Sequence, residues 1–189
     1  MVAAMRTAVP LAKSYRLLNH GPTTLVTTAH NGQRNVMAAA WVMPLDFDPP
    51  MFVAVVASDT WSRELLLAAG ECVLQAPTTL QLDLTYAVGS SSGRDGDKFE
   101  RLRIATEPAT VVSAPMVAGC ACWLECRVVP EPQLQDRYDL FVLECVAAWA
   151  DDALWSQGDW RFAAGGPRTI HHCKGGVFFA TGERLAAAR

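Results

Sequence analysis

Residues 22–43 read PTTLVTTAHNGQRNVMAAAWVM, and this stretch decides the fold. Its first part, 22–29, is rich in Thr and Val, β-branched residues that suit a pleated surface. His30-Asn31-Gly32-Gln33 follows, and Asn-Gly between two extended runs is the strongest short signal for a hairpin turn. Residues 34–43 are therefore predicted to return as the partner strand. Working outward, 44–50 ends in Pro-Pro and is expected as a loop. Residues 51–57 (MFVAVVA) form an unbroken apolar run of strand length, which predicts a strand buried on both faces.

Ser58-Asp59-Thr60 supplies side chains that cap a helix N-terminus. Trp61, Leu65, Ala68 and Ala69 then fall on one helical face, and Gly70 stands where helices commonly stop. Residues 71–76 read as a short strand, 79–88 (TLQLDLTYAV) as a weak helix and 89–97 (GSSSGRDGD) as a loop. Residues 109–113, 120–130 and 138–149 predict further strands. In the last, Leu140, Val142, Val146 and Ala148 take one side, and Phe141, Leu143, Cys145 and Trp149 the other. Many strands, hairpin chemistry and a few short helices predict a mainly β protein, a barrel with helical insertions.

The 189 residues are 51% apolar and 19% charged, with a net charge of −3. That balance suits a folded core and argues against disorder, a dedicated nucleic-acid binder and a polybasic membrane anchor. No stretch approaches the length of a membrane span, and residues 1–13 carry no signal-like apolar run, so a cytoplasmic location is expected. No repeat or linker divides the chain, and a single domain over 1–189 is expected.

No GxSxG, P-loop, HExxH or GxGxxG motif is present, and no catalytic side-chain constellation is predicted. The metal candidate is Cys120, Cys122 and Cys126 with His171, His172 and Cys173, but the cysteine spacing is not a usual zinc pattern; on a strand the three cysteines share one face and read as core thiols, so no metal is expected. His171-His172 reads as a strand-edge pair with ordinary hydrogen bonds, or as a pair beside a cofactor or subunit contact. The segment 89–98 joins Ser90, Ser91, Ser92, glycines, Arg94 and Lys98, the groups that a phosphate needs, although solvated Ser/Gly loops look alike. The helix start at Ser58-Asp59-Thr60 is a second phosphate candidate, or a plain cap. Ala38-Ala39-Ala40, with Asn35 on the same strand, leaves a surface bare enough for a flat ligand or for a neighbouring helix.

The order Asn35-Val36-Met37-Ala38-Ala39-Ala40-Trp41, Asp48-Pro49-Pro50, Ser58-x-Thr60 and Ser92-Gly93-Arg94-x-x-Asp97-Lys98-Phe99 resembles the flavin reductase-like, FMN-binding split-barrel family, which includes flavoredoxin. The likeness covers about 21–183, and the ending His171-His172 to Phe179 shares it. The resemblance implies a six-stranded Greek-key split barrel, a homodimer, and FMN at the subunit interface. Asn35 and the backbone of Met37, Ala38, Ala39, Ala40 and Trp41 would line the ring and ribityl chain. Ser58, Asp59 and Thr60 would hold the 5′-phosphate, and Ser91, Ser92, Gly93 and Lys98 would close over it. Relatives often carry hydroxyl residues at Ala38 and Ala40, and many reductases carry a His where this chain has Tyr138-Asp139-Leu140. The implied activity is an NAD(P)H-dependent flavin reductase, with NADH or NADPH as donor and a monooxygenase or other acceptor downstream. The alternatives are a flavoredoxin-type electron carrier and a barrel that binds another ligand.

Overall fold

A computed structural model describes residues 5–188. Its strands and helices follow in order: β1 (Arg6–Ala8), β2 (Thr24–His30), β3 (Gln33–Ala39), β4 (Val42–Phe47), β5 (Pro50–Val55), α1 (Trp61–Ala69) and β6 (Glu71–Ala76). Then come α2 (Leu82–Gly89), α3 (Lys98–Arg101), β7 (Thr106–Glu107), β8 (Met116–Val117), β9 (Cys122–Val129), α4 (Pro132–Tyr138) and β10 (Leu140–Asp151). Three hairpin-forming strand pairs lie outside the main sheet: β7 with β8, β11 (Trp155–Ser156) with β12 (Asp159–Trp160), and β13 (Ile170–Lys174) with β14 (Val177–Ala180).

The main sheet runs β3-β2-β6-β9-β10-β5-β4, with β1 added on β10. Its end strands, β3 and β4, are consecutive in the chain and joined only by Ala40 and Trp41. Three peptide steps reach roughly 11 Å, so the sheet must curl until its two edges meet. The result is a split barrel. It has eight hydrogen-bonded strands rather than the expected six. No helix among the described residues is long and apolar enough to cross a membrane.

The hairpin β2–β3 turns at Asn31-Gly32, both with positive φ, and pairs Thr24 with Ala39 through to His30 with Gln33. The return strand is shorter than expected. It stops at Ala39, and the supposed loop 44–50 contains most of β4. Pro44 is tolerated because β4 is an edge strand, where a missing backbone donor costs little. Strand β5 is buried on one face only: Phe52 and Ala54 enter the core, while Met51, Val53 and Val55 are half-buried.

Apolar packing occupies both faces of the sheet. Val26, Phe52, Leu74, Leu124, Phe141 and Leu143 fill the barrel, and Leu25, Val36, Val73, Val88, Phe99 and Trp123 pack outside it, beneath α2 and the segment that follows. A bulge between Cys145 and Ala147 reverses the alternation of β10. Phe141, Leu143 and Cys145 therefore join Ala148 and Ala150 in the barrel core, against the simple two-sided reading. Cys122 and Cys126 also enter the barrel core, whereas Cys120, which precedes β9, enters the outer cluster. Burial raises the thiols of Cys72 and Cys122 to about 12, so they act as small apolar groups.

The expected strand at 109–113 is absent. A carboxylate on β9 holds that segment instead. Glu125, fully buried, accepts hydrogen bonds from the amides of Thr110, Val111 and Val112, the Thr110 hydroxyl and the Trp149 indole. Burial alone would raise its pKa, but these donors outweigh burial and hold it below the usual range. Its stabilising contribution is therefore complete above the unfolded-state value of 4.5 and lost as pH falls through the lower folded-state value. Glu125→Gln should cost about 2–4 kcal/mol at pH 7, from mismatched buried donors. Thermal melts should show the variant and parent converging as the pH falls below 4; a gap that stays constant with pH would contradict this.

Candidate functional site

Three segments meet on the outer wall of the barrel: β3, the N-terminus of α1, and the segment 89–98 that leaves α2. Helix α1 starts where its cap predicts. Thr60 Oγ1 accepts from the Arg63 amide at 3.3 Å and donates to the Ala57 carbonyl, and Gly70 closes the helix with a left-handed φ. Its inward face is Ser62, Leu65 and Leu66 rather than the predicted Trp61, Leu65, Ala68 and Ala69. That rotation brings Ser62 against the sheet. Asn35 Nδ2 donates to Ser62 Oγ at 2.9 Å.

Asn35 is only 2% exposed, yet its Oδ1 has no partner among the described residues. Gly93 lies directly against it. A Cβ at position 93 would sit 2.4 Å from Asn35 Oδ1 and 2.7 Å from Trp61 Cδ1. Only glycine lets the loop backbone pass between these side chains.

Lys98 ties the loop down. Its Nζ donates to the carbonyls of Val88 (2.7 Å) and Val36 (2.9 Å), joining α2 to β3, and the residue is 2% exposed. Burial, reinforced by Arg101, lowers its pKa to about 8. Asp97 caps α3 by accepting from the Phe99 amide and pairs with Arg34 at 2.8 Å. Burial alone would raise Asp97; the Arg34 hydrogen bond and the backbone amides bring it below its usual value.

These groups enclose a cavity of about 420 Å³, whose walls include Asn35, Met37, Ala38, Asp59, Thr60, Ser91, Ser92, Gly93 and Lys98. Nine predicted site residues are thus brought together. Ser58 is exposed outside that lining, Ala39 points into the barrel core, and Trp41 is 75% exposed at the sheet corner. The hydroxyls also differ in what they offer. Ser90 and Ser91 donate to the carbonyls of Tyr86 and Ala87, and Thr60 to Ala57, so those hydrogens are engaged. Ser92 accepts from the Arg94 amide and Ser62 accepts from Asn35, which leaves both hydroxyl hydrogens available. The first amides of α1 have no intrahelical partner.

A second cavity, of about 370 Å³, shares Ala38, Gly89 and Ser90 with the first. Ala40, Tyr86, His172 and Phe178 give it flat apolar walls, with Thr23 and Thr85 at its polar points. Ala38 packs against helix α2, 3.2 Å from where a Gly89 Cβ would stand, as the helix reading expects, and it lines both cavities. His172 Nε2 lies 3.0 Å from the Gly175 carbonyl, while His171 faces the Gly21 carbonyl and Thr181. The ordinary hydrogen bonds expected of the pair are present, and His172 also borders the cavity. Sequence reasoning missed Tyr86, Ser62 and the role of Arg94. Arg94 donates to the Asp59 carbonyl and pairs with Glu64. Its guanidinium would have been the most legible of these, lying beside Gly93 in the same loop.

The fold defines the class of split barrels, here with two joined cavities on the outer wall. Within that class, the chain belongs to the flavin reductase-like domain family, whose profile matches residues 16–164. It is 40% identical over 182 residues to the uncharacterized protein YddH of Escherichia coli K12, covering 95% of this chain and 96% of that protein. Among solved structures, an FMN-binding domain of a flavin reductases-like enzyme from Shewanella baltica OS155 matches with TM-score 0.96 and 43% identity over both whole chains. Flavoredoxin of Desulfovibrio vulgaris shares the fold at TM-score 0.77 and 23% identity, covering 89% of this chain and 90% of that one.

Gly93→Ala tests the loop crossing. It should displace Asn35 or Trp61 and cost about 1–3 kcal/mol, a fall in Tm of several degrees. An unchanged melting temperature would show that the loop does not need this close approach.

Proposed function

We propose that the chain binds FMN in this groove and is an NAD(P)H-dependent flavin oxidoreductase, passing electrons from NADH or NADPH to bound or exchanged flavin. The observation that carries the reading is the pairing of two compartments on one strand. The 420 Å³ cavity offers Lys98, the Ser92 and Ser62 hydroxyls and the α1 amides, which suit a phosphate dianion. The adjoining 370 Å³ cavity offers small residues on one side and Tyr86 and Phe178 on the other, which suit a planar ring. The unpartnered Asn35 Oδ1 supplies a buried acceptor on the same wall. FMN, named for the Shewanella baltica structure, has both chemical parts in one molecule.

When bound, the flavin supplies the redox chemistry, taking up a hydride and passing electrons onward. The protein binds, orients and shields. Ala38 and Ala40 keep the strand open to the ring, although they lack the hydroxyls that relatives often carry there. Lys98 balances phosphate charge at the closed end. No side-chain acid or base is assigned to the reaction.

One observation favours the second reading, a flavoredoxin-type carrier reduced by a partner protein. Asp139, in the segment where many reductases carry a His, is engaged by Arg63 at 2.8 Å and caps α4 in a left-handed conformation. Its place in the chain serves the fold. Steady-state consumption of NADH or NADPH with FMN present separates the two readings. Bleaching of the flavin band by either nicotinamide under anaerobic conditions is expected; a band that persists favours the carrier, and no uptake of added FMN defeats both.

The homodimer belongs to the same proposal. Trp41, just before β4, and Met43, Leu45 and Phe47 along it are all more than half exposed, an apolar face that a second copy would cover. Sedimentation at micromolar concentration should give twice the 20.5 kDa chain mass. A strict monomer would contradict a site shared between subunits.

Phosphate recognition should follow the charge of Lys98. An ammonium with a pKa near 8 is progressively lost above that pH, so FMN affinity should fall as pH rises through about 8. Lys98→Met should remove this dependence and weaken FMN about tenfold or more. Riboflavin, which lacks the phosphate, serves as control, and equal pH profiles for FMN and riboflavin would overturn the assignment.

A further inference from the structure

A cavity of about 540 Å³ shares no lining residue with the two cavities of the flavin reading. It lies where the hairpin β11–β12 meets the 3-10 segment Leu11–Leu17 and the residues that follow it. Trp155, Trp160 and His20 give it aromatic walls, with ring centroids 4.9 Å and 5.6 Å from Trp160. Two guanidinium groups border it, Arg16 and Arg161, and neither has a carboxylate partner among the described residues. Arg16 is steadied by the Gly158 carbonyl at the hairpin turn and by the Tyr15 hydroxyl, which leaves three of its five N–H groups over. Asp159, the acid on the same wall, is already engaged by Arg184 at 2.8 Å and by the Trp160 amide. The cavity therefore keeps a positive balance.

Two nitrogens on its aromatic wall are shielded from solvent and have no partner among the described residues, His20 Nδ1 and Trp160 Nε1. A hydrogen-bonded chain fixes what the histidine offers. The Gly21 carbonyl can only accept, so His171 Nδ1, 2.9 Å away, carries a hydrogen, and Nε2 of the neutral ring accepts from the Thr181 hydroxyl. Thr181 in turn accepts from Thr169 at 2.6 Å, and Thr169 accepts from His20 Nε2 at 2.8 Å. That leaves His20 Nδ1 as a bare lone pair. Burial, with His171 nearby, lowers the His20 pKa to about 4, so the lone pair persists at neutral pH. The indole N–H of Trp160 can only donate. One unmet acceptor and one unmet donor thus stand on neighbouring rings, and a buried polar group without a partner is costly.

We propose that this cavity is a second ligand site, for a small aromatic carboxylate that also carries a hydroxyl. A hydroxyl is the group that donates to His20 Nδ1 and accepts from Trp160 Nε1 with a single atom. The carboxylate suits the unneutralised guanidinium groups of Arg16 and Arg161. The ring packs on the indoles of Trp155 and Trp160, and the volume falls in the range of small-molecule sites. The assignment uses none of the residues of the flavin reading and stands or falls without it.

Calorimetric titration of the whole chain, with and without FMN, tests the site. The probe is 3-(4-hydroxyphenyl)propanoate; 3-phenylpropanoate lacks its hydroxyl and 4-ethylphenol its carboxylate. The probe should bind about fivefold more tightly than either, and FMN should not displace it. Arg161 is exposed and its side chain makes no hydrogen bond among the described residues, so Arg161→Gln leaves the fold intact. It should weaken the probe and 3-phenylpropanoate about threefold to tenfold and leave 4-ethylphenol unchanged. Trp160→Phe, which keeps a ring and removes the N–H, should abolish the probe's advantage over 3-phenylpropanoate. No binding at millimolar probe, displacement by FMN, or equal affinity for all three compounds would overturn the inference. A chain that binds the probe but not FMN would uphold it and defeat the flavin reading alone.

Discussion

The buried ammonium of Lys98 holds the functional wall of this barrel together. Its two hydrogen bonds reach the carbonyls of Val36 on β3 and Val88 on α2, elements more than fifty positions apart in sequence. Burying a cation is costly unless its donors are satisfied. Two carbonyls engage two of the three N–H groups of an ammonium, and the lowered pKa shows that desolvation still dominates. A site arranged this way is more favourable to an anion than to empty space. The same side chain pins the loop and places a positive charge beside the cavity that the loop borders.

The rest of the site follows from what that tether requires. Once 89–98 is drawn onto β3, Gly93 must cross between Asn35 and Trp61, and no larger residue fits there. The α1 start is brought to the same place by its Thr60 cap and by the Asn35–Ser62 hydrogen bond. The flat compartment follows from small residues at Ala38 and Gly89, whose near contact sets the spacing of strand and helix.

Local chemistry made much of this readable. The Asn31-Gly32 turn specified the β2–β3 hairpin, and Thr60 with Gly70 marked both ends of α1. The loop 89–98 and the small-residue strand were legible as phosphate and ring candidates because glycine, serine and lysine act through backbone access and charge. Features set by distant contacts were not legible. The segment 109–113 looks like a strand, but Glu125 on β9 captures its amides. The bulge at 145–147 reverses the faces of β10 without any glycine or proline to mark it. The helix face was misread because Ser62 turns inward to meet Asn35. Which hydroxyls remain free to donate was also hidden, since Ser90 and Ser91 spend theirs on carbonyls of α2.

The most direct test of the central claim is amide hydrogen exchange, measured with and without FMN. Flavin held by the Lys98-tethered loop should slow exchange in 35–40, 60–63 and 88–99, with little change in β9 and β10 inside the barrel. Protection confined to other segments, or none at saturating FMN, would contradict the placement of the site on this wall.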